Sequence, residues 1–194
     1  MYSLILDSTN TYLNVGLGKD GNLIDEISYE CWQKQSEMMI PEINKILSNN
    51  NISPKEIGEI LVTLGPGSYT GVRIALTIAK VYAYCLNIPC FAFSSLLVLE
   101  NYDKKSICLI NARSNRSYFA VYDKNEAIIF DTIKTNDEIK EYIKEHPDYV
   151  ICGDTNYLNI EGENNSVCKN MLLLKNEKYL VKDIMTLKAI YLKD

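Results

Sequence analysis

Histidine, the usual proton shuttle and metal ligand, occurs once in this chain, as His146 immediately before Pro147. A zinc peptidase needs two or more histidines on a helix face, which this sequence cannot supply. A Ser-His-Asp hydrolase built on His146 would lack the Gly-x-Ser-x-Gly elbow, and a histidine closing a helix is favoured by the helix dipole alone. Two stretches have a binding composition. The first, Gly65-Pro66-Gly67-Ser68-Tyr69-Thr70-Gly71-Val72-Arg73, lies between an expected strand and an expected helix. Its glycines permit close backbone approach, and a helix N-terminus offers free N–H groups to an anion. No Gly-Lys-Ser or Gly-Lys-Thr follows, so a structural turn and a phosphate cradle both stay open. The second, Asp7-Ser8-Thr9-Asn10-Thr11, is a small polar turn that could cup a phosphate or a metal-bound water, or serve as a plain turn.

The elements that must position these residues follow from periodicity. Tyr2 to Leu6, Tyr12 to Gly18 and Leu23 to Tyr29 read as three antiparallel strands, the last two joined by a tight turn at Asp20-Gly21. A helix is expected from Ser36 to Leu47, with a kink at Pro41. Ser53-Pro54-Lys55-Glu56 reads as a capping box before a strand at Ile60 to Leu64. A long helix over Thr70 to Asn87 follows, then a strand at Cys90 to Phe93 and a helix from Ser95 to Tyr102. The second half reads as strands at Ile107 to Asn111, Ser117 to Asp123 and Ala127 to Thr132, a helix over Asp137 to His146, a strand at Tyr149 to Cys152, and an exposed loop at Glu161 to Asn165. The polar Asp103-Lys104-Lys105 divides residues 1–103 from 104–194, the last helix being able to pack back on the first half.

The long helix carries the most informative pattern. At 100° per residue its apolar arc covers roughly 220°, against about 100° for a helix lying on one sheet. The surplus predicts cover by the helix around Met39 to Leu47 or by a protein partner. The expected interface comprises Met39, Ile43, Ile46 and Leu47 with Val72, Leu76, Ala79, Tyr82, Ala83 and Leu86. On that reading, Glu at Ala79 or Ala83 breaks a complex and leaves the monomer folded.

Charge narrows the partners. Twenty Lys and Arg against 25 Asp and Glu give −5, which lacks the basic footprint needed to hold nucleic acid unaided. The six cysteines show no C-x-x-C spacing and read as reduced, mostly buried thiols. Met1 to Leu6 has no basic n-region, and no apolar run is long enough to cross a bilayer, so a cytoplasmic protein without a membrane role is expected.

Leu4-Ile5-Leu6-Asp7-Ser8-Thr9, the block Gly65-Pro66-Gly67-Ser68-Tyr69-Thr70-Gly71-Val72-Arg73-Ile74, Phe93-Ser94-Ser95-Leu96, Ile110-Asn111-Ala112-Arg113 and Tyr191-Leu192-Lys193 together resemble the bacterial TsaB (YeaZ) family. The resemblance implies an α/β protein with the actin-like ATPase (ASKHA, ribonuclease H-like) fold, built of two βββαβα subdomains with the second abbreviated. It further implies a pseudoenzyme with no activity or cofactor of its own. Its role would be to partner TsaD, with TsaE, in placing threonylcarbamoyl on N6 of the adenosine beside the anticodon of tRNAs reading codons that begin with A. ATP or ADP would bind at the complex, tRNA would be met only through it, and the chain alone would form a homodimer through the two long helices. Asp7, Ser8 and Thr9 would be a vestigial phosphate loop. Gln35 stands where many relatives carry histidine, and Asn111 where they carry aspartate. The different-class alternative is a stand-alone actin-like ATPase or a glycoprotease-type peptidase.

Overall fold

The computed structural model describes residues 1–192; Lys193, which closes the terminal motif, lies outside the described residues. The chain opens as a meander of β1 (Tyr2–Asp7), β2 (Tyr12–Lys19) and β3 (Asn22–Glu30). Lys19 pairs with Asn22 across a two-residue turn whose Asp20 and Gly21 both have positive φ, the geometry that an Asp-Gly pair accepts at least cost. Strands β4 (Ile57–Thr63) and β5 (Cys90–Phe93) add in parallel, giving the order β3-β2-β1-β4-β5. Helices α1 (Gln35–Asn49) and α2 (Tyr69–Leu86) connect them. α1 runs through Pro41 as a single helix, and Ser53 and Glu56 form the expected capping box ahead of β4.

The second sheet contains β6 (Ser106–Arg113), β7 (Arg116–Asp123), β8 (Glu126–Thr135) and β9 (Val150–Gly153) in the order β8-β7-β6-β9, with α3 (Asn136–Glu145) between β8 and β9. It repeats the first sheet up to its fourth strand and stops. From there the chain returns to the first half through α4 (Val167–Leu174).

Strand alternation decides which layer meets which. Leu4, Leu6, Val15, Ile60 and Val62 pack with α1 and α2, whereas Ile5 and Leu61 point the other way, toward Cys168 and Met171 of α4. From the second sheet, Cys108, Ile110, Ala120 and Cys152 reach the same central cluster, while Ile107, Leu109, Phe119 and Val121 pack on Ile139 of α3. α4 is therefore a filling layer between the two sheets.

Three expectations are corrected. The helix over Ser95 to Tyr102 is only a 3₁₀ turn at Leu97–Leu99, because Ser94 Oγ takes the N–H groups of Leu96 and Leu97 and Leu96 to Leu99 are all buried. The loop at Glu161 to Asn165 is tied down: Glu163 accepts from Asn101 and Lys104, and Asn165 donates to Leu99 O. Most importantly, the expected interface residues belong to the monomer. Met39, Ile43, Ile46, Leu47, Val72, Leu76, Ala79 and Ala83 are buried, and Tyr82 and Leu86 are half-buried on the same cluster. The apolar arc is wide because α2 is covered on three sides, by β4 and β1, by α1, and by the tail residues Val181, Ile184, Leu187 and Ala189.

That tail is irregular yet anchored. Val181 N donates to Cys90 O at the β5 edge, Lys80 Nζ reaches Met185 O, and Ile190 N donates to Leu64 O. Its start is pinned by Lys175, whose Nζ lies 2.7 Å from the buried Glu59 carboxylate, itself bonded to Ser3 Oγ.

Candidate functional site: the cleft between the sheets

A cleft of about 850 Å³ opens where the first strand-to-strand turn, the Gly-rich loop and the tip of β6 converge. One wall holds Thr9, Asn10, Thr11, Glu30, Trp32, Gln35 and Gly67 to Thr70; the other holds Ile110 to Arg113, Tyr118 and Asp154, with Tyr191 at the mouth.

In the expected vestigial phosphate loop, the side chains of Asp7 and Ser8 are turned inward. The Asp7 carboxylate is buried and spent on internal bonds. Its Oδ1 accepts from Thr9 Oγ1 at 2.7 Å, Thr63 Oγ1 at 2.6 Å and Thr9 N at 3.2 Å, and its Oδ2 accepts from Asn14 Nδ2 at 2.8 Å. Ser8 Oγ donates to Gly71 O. Thr9 lines the cleft but is buried, and its carbonyl accepts the Ser68 N–H at 2.6 Å.

The Gly-rich loop is likewise a close-packed turn. A Cβ on Gly67 would stand 2.1 Å from Thr9 O, and one on Gly71 only 1.8 Å from Ser8 O, so both positions demand glycine for backbone contact. Gly65 and Pro66 are buried behind it. Ser68 caps α2 by accepting from Gly71 N, and Thr70 is exposed on the first turn. Arg73 does not enter the cleft: its guanidinium lies over the Tyr69 ring at 3.8 Å and its Nε donates to Tyr191 Oη at 2.8 Å, clasping the tail.

Residues that periodicity did not single out supply the cleft's charge. Asp154 follows β9 and, among the described residues, accepts only the Asn111 N–H, at 3.4 Å. Burial pushes its carboxyl above the usual range, the Asn111 bond works against this, and the Glu30 charge on the opposite wall works with it. Arg113 begins a run with Ser114 and Asn115 at positive φ, which turns its side chain back to the first half, 4.7 Å from the Trp32 ring. Gln35 donates through Nε2 to Asn10 O and is buried. His146 is remote from all of this, stacked on Tyr142 at the end of α3.

The family model described as TsaD, tRNA N6-adenosine threonylcarbamoyltransferase, matches residues 30–148. The tRNA threonylcarbamoyladenosine biosynthesis protein TsaB of Bacillus subtilis is 31% identical over 133 residues, 66% of this chain and 58% of that protein. The uncharacterized protein MG208 of Mycoplasma genitalium is 32% identical over the whole chain and 95% of its own length. The structure of YeaZ from Pseudomonas aeruginosa superposes with a TM-score of 0.75 at 18% identity, covering 98% of this chain and 99% of that one. The chain belongs to the TsaB (YeaZ) family. Its two sheets and their strand orders are the actin-like architecture expected for that family, with the second TsaB-type subdomain shortened after its fourth strand. Among the described residues, no helix is long and apolar enough to cross a membrane and no cluster of three metal-ligating side chains occurs.

Proposed function

We propose that this chain is a non-catalytic cytoplasmic subunit in the synthesis of tRNA threonylcarbamoyladenosine, docking on a TsaD-type catalytic partner, with a TsaE-type ATPase joining the complex. The naming of its relatives supports the pathway. The observation that carries the docking reading is the outer stripe of α2. Ile74, Ile78, Val81 and Cys85 recur at i, i+4, i+7 and i+11 on one flank; Ile74 and Ile78 are half-buried on the core cluster, whereas Cys85 is exposed, Val81 is 55% exposed, and Tyr84 beside it is 67% exposed. On α1, Ile40 is also exposed, at 45%. These side chains replace the buried set as the contact surface, for the heterodimer and for a homodimer when the chain is alone. tRNA is met through the partner, since the acidic chain cannot neutralise many phosphates.

Size-exclusion chromatography with light scattering on a mixture with TsaD of the same organism, with and without ATP, tests this. A 1:1 species that Val81→Glu abolishes is expected, and dependence on ATP would place the nucleotide at the complex. A wild-type chain that forms no complex under either condition overturns the reading.

A further inference from the structure

The docking stripe meets the cleft at Ile74 alone of its residues, and it leaves the charged chemistry of the cleft unused. Tyrosines aside, its ionisable lining side chains among the described residues are Glu30, Arg113 and Asp154. The two carboxylates stand on opposite walls of one cleft, and neither has a cationic partner among the described residues. The Arg113 guanidinium rests on the Trp32 ring with no carboxylate partner among them. Charges of both signs thus line one cavity without pairing with each other. Gln35 adds an amide in the same wall, with Nε2 committed to Asn10 O. Glu30 and Arg113 are exposed and Asp154 is part-buried, so a solute in the cleft can reach all three charges.

We propose that the cleft binds a small zwitterion of the α-amino-acid class, its carboxylate on Arg113 and its ammonium between Glu30 and Asp154. A guanidinium matches a carboxylate by its paired N–H groups, and an ammonium offers three donors to the acceptors on the two walls. The volume lies within the range of small-molecule sites and leaves room for a bulky side chain beside Tyr118. A nucleoside triphosphate fits the charges poorly, because its phosphates would face two carboxylates with one arginine to offset them. The ligand would bridge the two sheets, setting the opening between Trp32 and Arg113.

Isothermal titration of the full chain with L-phenylalanine, L-leucine and L-lysine, and with phenethylamine, 3-phenylpropionate and ATP as comparators, decides the matter. Saturable binding of at least one amino acid is expected. Phenethylamine and 3-phenylpropionate should bind at least about tenfold more weakly than L-phenylalanine if that is the one, since each lacks one charge-assisted contact. Arg113→Ala and Asp154→Asn should each weaken the amino acid by about tenfold or more, while Arg113→Lys keeps part of the affinity. Thermal melting of each variant confirms that it is folded. No saturable heat with any of the three amino acids at millimolar concentration overturns the proposal. So does equal binding of the one-charge comparators, or indifference to both charge-removing variants. The outcome is independent of the docking reading, which the isolated chain does not test.

Discussion

Asp7→Asn is a near-isosteric change with a consequence that can be worked through atom by atom. Oδ1 can keep its three donors, Thr9 Oγ1, Thr9 N and Thr63 Oγ1, as a weaker, neutral acceptor. The new NH₂ group replaces Oδ2 and faces Asn14 Nδ2 at 2.8 Å, donor against donor. Turning the Asn14 amide over relieves this clash, because its Oδ1 then accepts from the new NH₂ group while its Nδ2 donates to the Ser28 hydroxyl, which accepts as well as donates. What remains is the exchange of charge-assisted bonds for neutral ones, at a cost of about 1–2 kcal/mol. For a chain of this size that corresponds to a fall in melting temperature of about 2–8 °C. Urea denaturation followed by far-ultraviolet circular dichroism measures it. Adding Asn14→Asp returns a carboxylate to the same contact and still accepts from Ser28, so the double variant should recover about 1 kcal/mol. Asp7→Asn within about 0.5 kcal/mol of wild type, or a double variant no better than the single one, would refute the view that this carboxylate is spent on structure.

Other substitutions separate fold from function. Ala79→Glu should unfold the chain, since it adds volume and a carboxyl to a site with no exposure, at a cost of about 5 kcal/mol or more; Val81→Glu, two residues on, should leave the melting temperature within about 2 °C and act only on assembly. Lys175→Met leaves the Glu59 carboxylate buried with Ser3 as its one remaining partner among the described residues and should lower stability by about 3 kcal/mol, much of which a second change, Glu59→Gln, restores in the same urea assay. Asp154 gives a pH signature. Its folded carboxyl releases its proton at a higher pH than the unfolded one, so stability falls as pH rises through that interval and stays lower above it. Asp154→Asn should therefore raise the urea midpoint at pH 7 and change it little at a pH below both values; an equal effect at the two would contradict the burial argument.

Local chemistry was legible where the chain folds on its neighbours. Asp20-Gly21 announces its turn because few other pairs take two positive φ values, and Ser53 to Glu56 announces its capping box by spacing alone. The wide apolar arc of α2 was also legible, but not its meaning. Periodicity tells how much of a helix must be covered, whereas the covering residues, Val181 to Ala189, lie about a hundred positions away. α4 was expected only as a last helix packing back on the first half, without bounds: buried between two sheets, Val167-Cys168-Lys169-Asn170-Met171-Leu172-Leu173-Leu174 has little polar face to set a 3.6-residue rhythm. Among the cleft residues, Arg113 was flagged by its motif. Glu30, Trp32 and Asp154 carry no local signal, since what unites them is the closure of one half of the molecule on the other.

The placement of α4 also governs how the chain is made. The first sheet is complete as a sequence once Phe93 has been synthesised, yet the cluster that covers Ile5 and Leu61 is completed by residues that arrive only with Val167 to Leu174. At cellular rates, a ribosome needs about 4–15 s to add the intervening stretch. For that interval the nascent first half exposes an oily sheet surface, notched at Gly16 for the Cys168 side chain that has not yet emerged. The two halves are thus poor candidates for separate expression, and a chain cut before α4 should enter inclusion bodies or be held by chaperones rather than accumulate as a smaller folded domain.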